Sequence, residues 1–153
     1  MKMNKSQMLL AIESAKKIHL EQMDKIQSAL NEKEVEHPTP LNKMQCDCGV
    51  WFYENEAILK DILGAQLFER LEKHHDDWHR EYEKIYAVLF QQDNAQGFFA
   101  KLLQSKTKDS LVLDKARVYF CDLQKKSEIL LHVSESAIRR VAALSESKFE
   151  KDL

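Results

Sequence analysis

Two histidines, His75 and His79, stand four residues apart in the run KHHDDWHR. On a helix that spacing sets one imidazole a turn above the other, roughly 6 Å along the axis, so both rings can converge on one ion. A histidine-rich run is as often a solvated face, and the pair alone specifies little. His19 adds to it. It falls on the apolar face of an earlier helical pattern, where a leucine would pack better, although a lone histidine there is more often a hydrogen-bonded core residue. Cys46 opens the stretch CDCGVWF and brings a soft sulfur ahead of a short helix containing Gly49 and Trp51. One histidine, one cysteine and an HxxxH pair from three separate elements supply three nitrogens and one sulfur. Borderline-soft zinc accepts that tetrahedral set readily.

The elements that must position these groups are all helical. Leu9, Ile12, Ala15, His19, Met23, Ile26 and Leu30 recur at three- and four-residue spacing, which predicts a helix over residues 6–30, capped by Asn4 or Ser6. Pro38 and Pro40 restrict the residues before them and end that pattern. A shorter helix is expected from about Lys43 or Gln45 through Phe52, with helical or turn-rich chain continuing to Gly64. Residues 65–91 carry Leu67, Leu71, His75, Trp78, His79, Tyr82, Ile85 and Leu89 near one face. QQDNAQG interrupts the pattern, and Ala95 through Leu103 is expected to turn helical again. From Asp109 a seven-residue repeat runs through Leu113, Ala116, Phe120, Leu123, Ser127, Leu130, Ser134, Ala137, Val141 and Leu144. Serines at two of its seam positions weaken a zipper reading. The chain after Ser136 is expected to project or dock loosely. The predicted fold is an all-α antiparallel four-helix bundle with a short inserted helix carrying the cysteine and a long C-terminal helix.

Composition bounds the function. A chain of 153 residues can bury one domain-sized core unaided, and only three glycines and two prolines favour long helices. The formal net charge of −2 comes from mixed signs, so neither nucleic acid nor an anionic membrane is an expected partner. No signal-peptide core or membrane span is legible. Three cysteines are too few for a disulfide scaffold and suggest a reducing, cytoplasmic setting. There is no HExxH, no phosphate-cradling glycine loop and no credible Ser/His/Asp arrangement, and a closed four-ligand shell leaves no place for water or substrate; no enzyme is expected.

The combined order, a His, then Cys-x-Cys-Gly-x-Trp, then His-x-x-x-His, resembles the chemoreceptor zinc-binding domain family over about residues 8–130. The resemblance implies a cytoplasmic helical bundle binding one zinc ion per chain through His19, Cys46, His75 and His79, with Gly49 and Trp51 as supporting motif positions. Cys48 stands where the family usually has an apolar residue, and Gln22 where an apolar or aromatic one usually follows the first histidine. Cys48 is therefore an alternative thiol. Two residues apart on a helix, the cysteines point about 200° apart, so one ion takes only one of them. Cys46 is the expected ligand, with Cys48 as a small buried hydrophobe and Gly49 allowing close approach to a neighbouring helix. Cys121 reads as a packing residue, and His74 as exposed or as a neighbour of a ligand. His37 and His132 have no partner in the sequence.

Residues 1–130 are expected to make the zinc-binding bundle, and residues 131–153, whose role the resemblance does not explain, to extend the last helix. The family is implicated in zinc-responsive regulation and in sensing hypochlorous acid through its Cys–zinc pair. It implies a homodimer and an output in trans to a chemotaxis or cyclic-di-GMP signalling protein. The competing expectation is a scaffolding bundle whose zinc only stabilises the fold; zinc storage fits poorly with one closed site.

Overall fold

The computed structural model describes residues 3–90 and 110–150. The expected helical turn from Ala95 through Leu103 lies outside them. Six helices follow in order: α1 (Lys5–Leu30), α2 (Asp47–Glu54), α3 (Glu56–Leu63), α4 (Ala65–Leu89), α5 (Ser110–Ala143) and α6 (Ser147–Glu150). The described residues form the all-α bundle that the periodicity predicts.

Local signals set the boundaries. Asn4 accepts from the Gln7 backbone N–H while the Gln7 side chain accepts from the Asn4 N–H, a capping box that satisfies two donors at the start of α1. Asn55 ends α2 and begins α3, so the chain between them turns without a loop. Gly64 separates α3 from α4 with φ +81, a backbone conformation that glycine adopts without steric cost.

Two apolar clusters hold the long helices together. At one end Ile26 and Leu30 of α1 meet Ile85 and Leu89 of α4 and Leu113 and Ala116 of α5. At the other, Met8 and Ile12 of α1, Phe68 of α4 and Ala137 and Val141 of α5 surround Leu59, Ile62 and Leu63 of α3. Helices α1 and α4 thus run in the same direction and α5 runs antiparallel to both. The loop at 31–46 and the α2–α3 pair make the return.

The seam of α5 matches its repeat closely: Leu113, Ala116, Phe120, Leu123, Ser127, Leu130, Val133, Ala137 and Val141 are its buried residues. The expectation for the chain past Ser136 needs correction. Ala137 and Val141 are fully buried, and Phe149 of α6 is 8% exposed. The second cluster closes over them, because the apolar residues of the short α3 pack against the end of α5 as well as against α1 and α4. Lys5 Nζ donates to the Leu144 carbonyl at 2.8 Å and Arg140 Nε to the Ile62 carbonyl at 3.1 Å, which fix that end from both sides. Helix α5 crosses position 130 without a break.

Candidate metal centre

Between the two apolar clusters the bundle carries a polar layer: His19 from α1, His75, Trp78 and His79 from α4, and Ser127 from α5, with Cys46 entering from the side. All three histidines are at most 8% exposed. Four-residue spacing on α4 brings the His75 and His79 rings to 4.8 Å between centroids, edge to face. Ligand atoms of Cys46, His75 and His79 all lie within 4.8 Å of one another.

Cys46 sits at the N-cap of α2, just ahead of its first turn. Its sulfur accepts from the Gly49 backbone N–H at 3.2 Å and lies 3.3 Å from the Lys43 carbonyl. The turn at 43–46 comes so close to α2 that a Cβ at Gly49 would stand 1.7 Å from the Lys43 carbonyl oxygen. Gly49 therefore serves close approach as expected, but to this turn and not to a neighbouring helix. The result aims Cys46 at α4: its Sγ lies 3.3 Å from His75 Nε2. In a tetrahedral site with ordinary Zn–S and Zn–N bonds that edge measures about 3.6 Å.

The loop is also tied down from α4. Tyr82 O–H donates to the Thr39 carbonyl at 2.8 Å, and His79 Nδ1 lies 2.9 Å from the Leu41 carbonyl. A carbonyl only accepts, so the His79 proton is on Nδ1 and Nε2 presents a bare lone pair. That Nε2 is buried and has no hydrogen-bond partner. Buried polar atoms are rarely left so, and a backbone carbonyl on the far nitrogen is the usual support of a metal-binding histidine. Beside it Lys43 pairs with Asp76 at 3.0 Å, and Asp76 also pairs with Arg80 at 2.9 Å.

The electrostatics suit the same role. Burial, with His79 and His19 nearby, pushes His75 down to about 3, and burial pushes His19 down to about 4. Burial also holds His79 below its ordinary value. All three are neutral at physiological pH, the form that binds metal. Burial raises the Cys46 thiol, so the metal-free sulfur keeps its proton, although backbone N–H groups at the start of α2 oppose the rise. A bound cation would reverse the balance and hold the thiolate. The donor set fits zinc: one sulfur and imidazole nitrogens, all buried, on three separate segments of chain.

His19 is not in the group of mutually close ligand atoms. Its Nε2 instead meets the Ser127 hydroxyl at 2.8 Å, and its ring lies edge-on to Trp78 at 5.1 Å. A cavity of about 70 Å³ borders both His19 and His75, with Cys48, Trp51, Leu71 and Ser134 also in its wall. Cys48 is half-buried and turned away from the cluster, its thiol donating to the Ala15 carbonyl at 3.2 Å; burial pushes it up to about 12. Gln22 is buried on α1. Cys121 is exposed, against the expectation of a packing role, because the seam places Phe120 and Leu123 inward and turns position 121 out. His74 is partly exposed, 3.9 Å from Asp77.

Sequence reasoning missed Ser127, which it noted only as a weak seam position. It also missed the Thr39 and Leu41 carbonyls that α4 grips; a threonine between two prolines was the available signal.

Residues 19–86 match the family model of the chemoreceptor zinc-binding domain. Over this segment the chain is similar to that family. The matched stretch is under half of the chain; it begins on His19, encloses Cys46, His75 and His79, and ends on Tyr86. No curated protein and no solved structure matches the chain significantly. The geometry assembles three groups able to hold a metal, Cys46, His75 and His79, and ties the remaining candidate, His19, to Ser127 by a hydrogen bond. No helix among the described residues is long and apolar enough to cross a membrane.

Proposed function

We propose that the protein is a non-enzymatic, cytoplasmic regulatory domain in which His19, Cys46, His75 and His79 hold one zinc ion per chain and Cys46 reports zinc or oxidant status. The observation that carries this reading is the orphaned, buried Nε2 of His79 beside Cys46 and His75. Bound zinc supplies a cation that keeps the Cys46 sulfur deprotonated and nucleophilic. The Cys46 thiolate and hypochlorous acid then give a sulfenic acid and chloride, sulfur losing the two electrons that chlorine gains. A sulfenic acid is a poor ligand. Cys46 also caps α2, so the same oxidation loosens the first turn of that helix and frees it from α4. Output passes in trans to a chemotaxis or cyclic-di-GMP signalling protein. A homodimer is part of the reading, supported by Val118 (62% exposed) and Ile129 (43% exposed) on the outer side of α5.

Native mass spectrometry of wild type and Cys46→Ala, before and after mild hypochlorous acid, tests the reading. One zinc per chain in the wild type, absent in the variant and lost on oxidation, is the expected result. Zinc that survives both treatments overturns the switch, and a wild type that takes up no zinc overturns the site.

A further inference from the structure

The polar layer holds one arrangement that zinc ligation by itself does not explain. Ser127 sits in the apolar seam of α5, 5% exposed, and its oxygen contacts side chains of two other helices. Trp78 Nε1 lies 3.0 Å away and His19 Nε2 2.8 Å away. The indole nitrogen can only donate, so it takes one lone pair of Ser127. The Ser127 hydroxyl still has its own proton to place. Ser134 and Ser136 on the same helix send theirs back to the carbonyls of Leu130 and His132. The acceptor that faces Ser127 is His19 Nε2.

We propose that Ser127 is a latch for His19: its hydroxyl donates to the Nε2 lone pair and holds the imidazole away from Cys46, His75 and His79 until a metal takes that lone pair. This rests on the reading that His19 is the fourth ligand. A single lone pair serves either the hydroxyl or the ion, so the two states exclude each other. The cavity that His19 and His75 share gives the ring space in which to turn. Zinc binding therefore breaks the hydrogen bond that ties His19 to α5, a helix that contributes to both apolar clusters. Ser127 is a positioning residue whose part is to oppose ligation, and to make the state of the metal felt on the longest helix.

The sign of one measurement separates a latch from an ordinary support. Removing the hydroxyl with Ser127→Ala abolishes the bond that stabilises the metal-free form. The Trp78 N–H is left unpartnered with and without metal, so its cost cancels. Zinc affinity, read by chelator competition on the full chain, should rise about two- to tenfold, the worth of one hydrogen bond. A residue that merely supports His19 or the core gives the opposite, a fall. Two-bond ¹⁵N–¹H spectra of the metal-free wild type provide the second measurement and need no variant. They should show His19 with its proton on Nδ1; a proton on Nε2 would make Ser127 an acceptor and overturn the latch. His19→Ala separates the two layers of the argument. If that variant binds zinc as tightly as wild type, the ligand reading fails. If it binds more weakly while Ser127→Ala shows no gain, the latch alone fails.

Discussion

Replacing Gly49 with alanine sets two physical effects against each other. Gly49 is the third residue of α2, and in an open helix Gly→Ala adds about 0.5–1 kcal/mol of stability. Here the added Cβ meets the Lys43 carbonyl oxygen at 1.7 Å and its carbon at 2.8 Å. Both are backbone atoms, so no rotamer change relieves the contact. Restoring an ordinary separation moves the turn by about 1.5 Å, while a metal site tolerates about 0.2 Å in its ligand distances. Overpacking of this kind costs about 1–3 kcal/mol, which outweighs the helix gain. Cys46 lies on the same turn, its sulfur 3.2 Å from the added carbon, and is displaced with it. The expected outcome is a lower urea midpoint for the metal-free protein and a weakened thiolate-to-cobalt charge-transfer band on titration with cobalt(II). A variant as stable as wild type, or more so, with an undiminished band would refute the claim that Gly49 is there for the Lys43 carbonyl.

Three further outcomes follow from the same geometry. Metal-free stability should depend on acid through His75 and His19, whose native values lie at about 3 and about 4 against 6.5 for the free side chain. The unfolded chain binds protons first, so stability is full above pH 6.5 and is lost as pH falls, by about 1.4 kcal/mol per unit for each histidine, down to about 4 for His19 and about 3 for His75; a flat urea midpoint across that window would count against burial of neutral rings. Cys48→Ala should keep one zinc per chain by native mass spectrometry, because the Cys48 thiol is spent on the Ala15 carbonyl; loss of the ion would make Cys48 the ligand. Truncation after Ser136 removes Ala137, Val141 and Phe149 from the second cluster and should lower the melting temperature by about 4–20 °C, on the order of 2–5 kcal/mol of lost burial; an unchanged melting temperature would restore the picture of a loosely docked end.

The helices and their inward faces were legible because periodicity reports burial directly: the seam of α5 differs from its pattern chiefly at Val133, which takes the buried place beside Ser134. HxxxH spacing likewise guarantees that His75 and His79 share a face whatever surrounds them. What resisted reading was contact between segments far apart in the chain. Nothing local tells that Lys43, six residues before Gly49, folds its carbonyl onto it, or that Ser127 meets a histidine 108 residues away. The buried end of α5 was misjudged for a related reason. Its small residues Ala137 and Val141 look weak as a seam, but α3 brings a cluster of its own against them. Cys121 erred the other way, since a cysteine beside a seam residue looks apolar and the helix turns it outward.

Whether zinc staples the fold or reports on the cell turns on how much of the site exists without it. In a zinc-stapled domain the ligand-bearing segments have little else to hold them, and metal-binding energy is folding energy. Here the Cys46 segment is held by other means. Tyr82 and His79 grip the Thr39 and Leu41 carbonyls, Lys43 pairs with Asp76, and Phe52 of α2 stacks on Phe68 of α4 at 4.6 Å. Both apolar clusters close around the three long helices without any ligand atom. A preassembled frame of this kind leaves metal-binding energy free to move smaller parts: the His19 ring, the first turn of α2, and the α1–α5 link at Ser127. The regulatory reading therefore requires that the chelator-treated protein keep nearly all its far-ultraviolet helical signal and unfold cooperatively. A collapse of helicity on zinc removal would mean that the ion is the staple, and that the hydrogen bonds around the loop at 31–46 form only as its consequence.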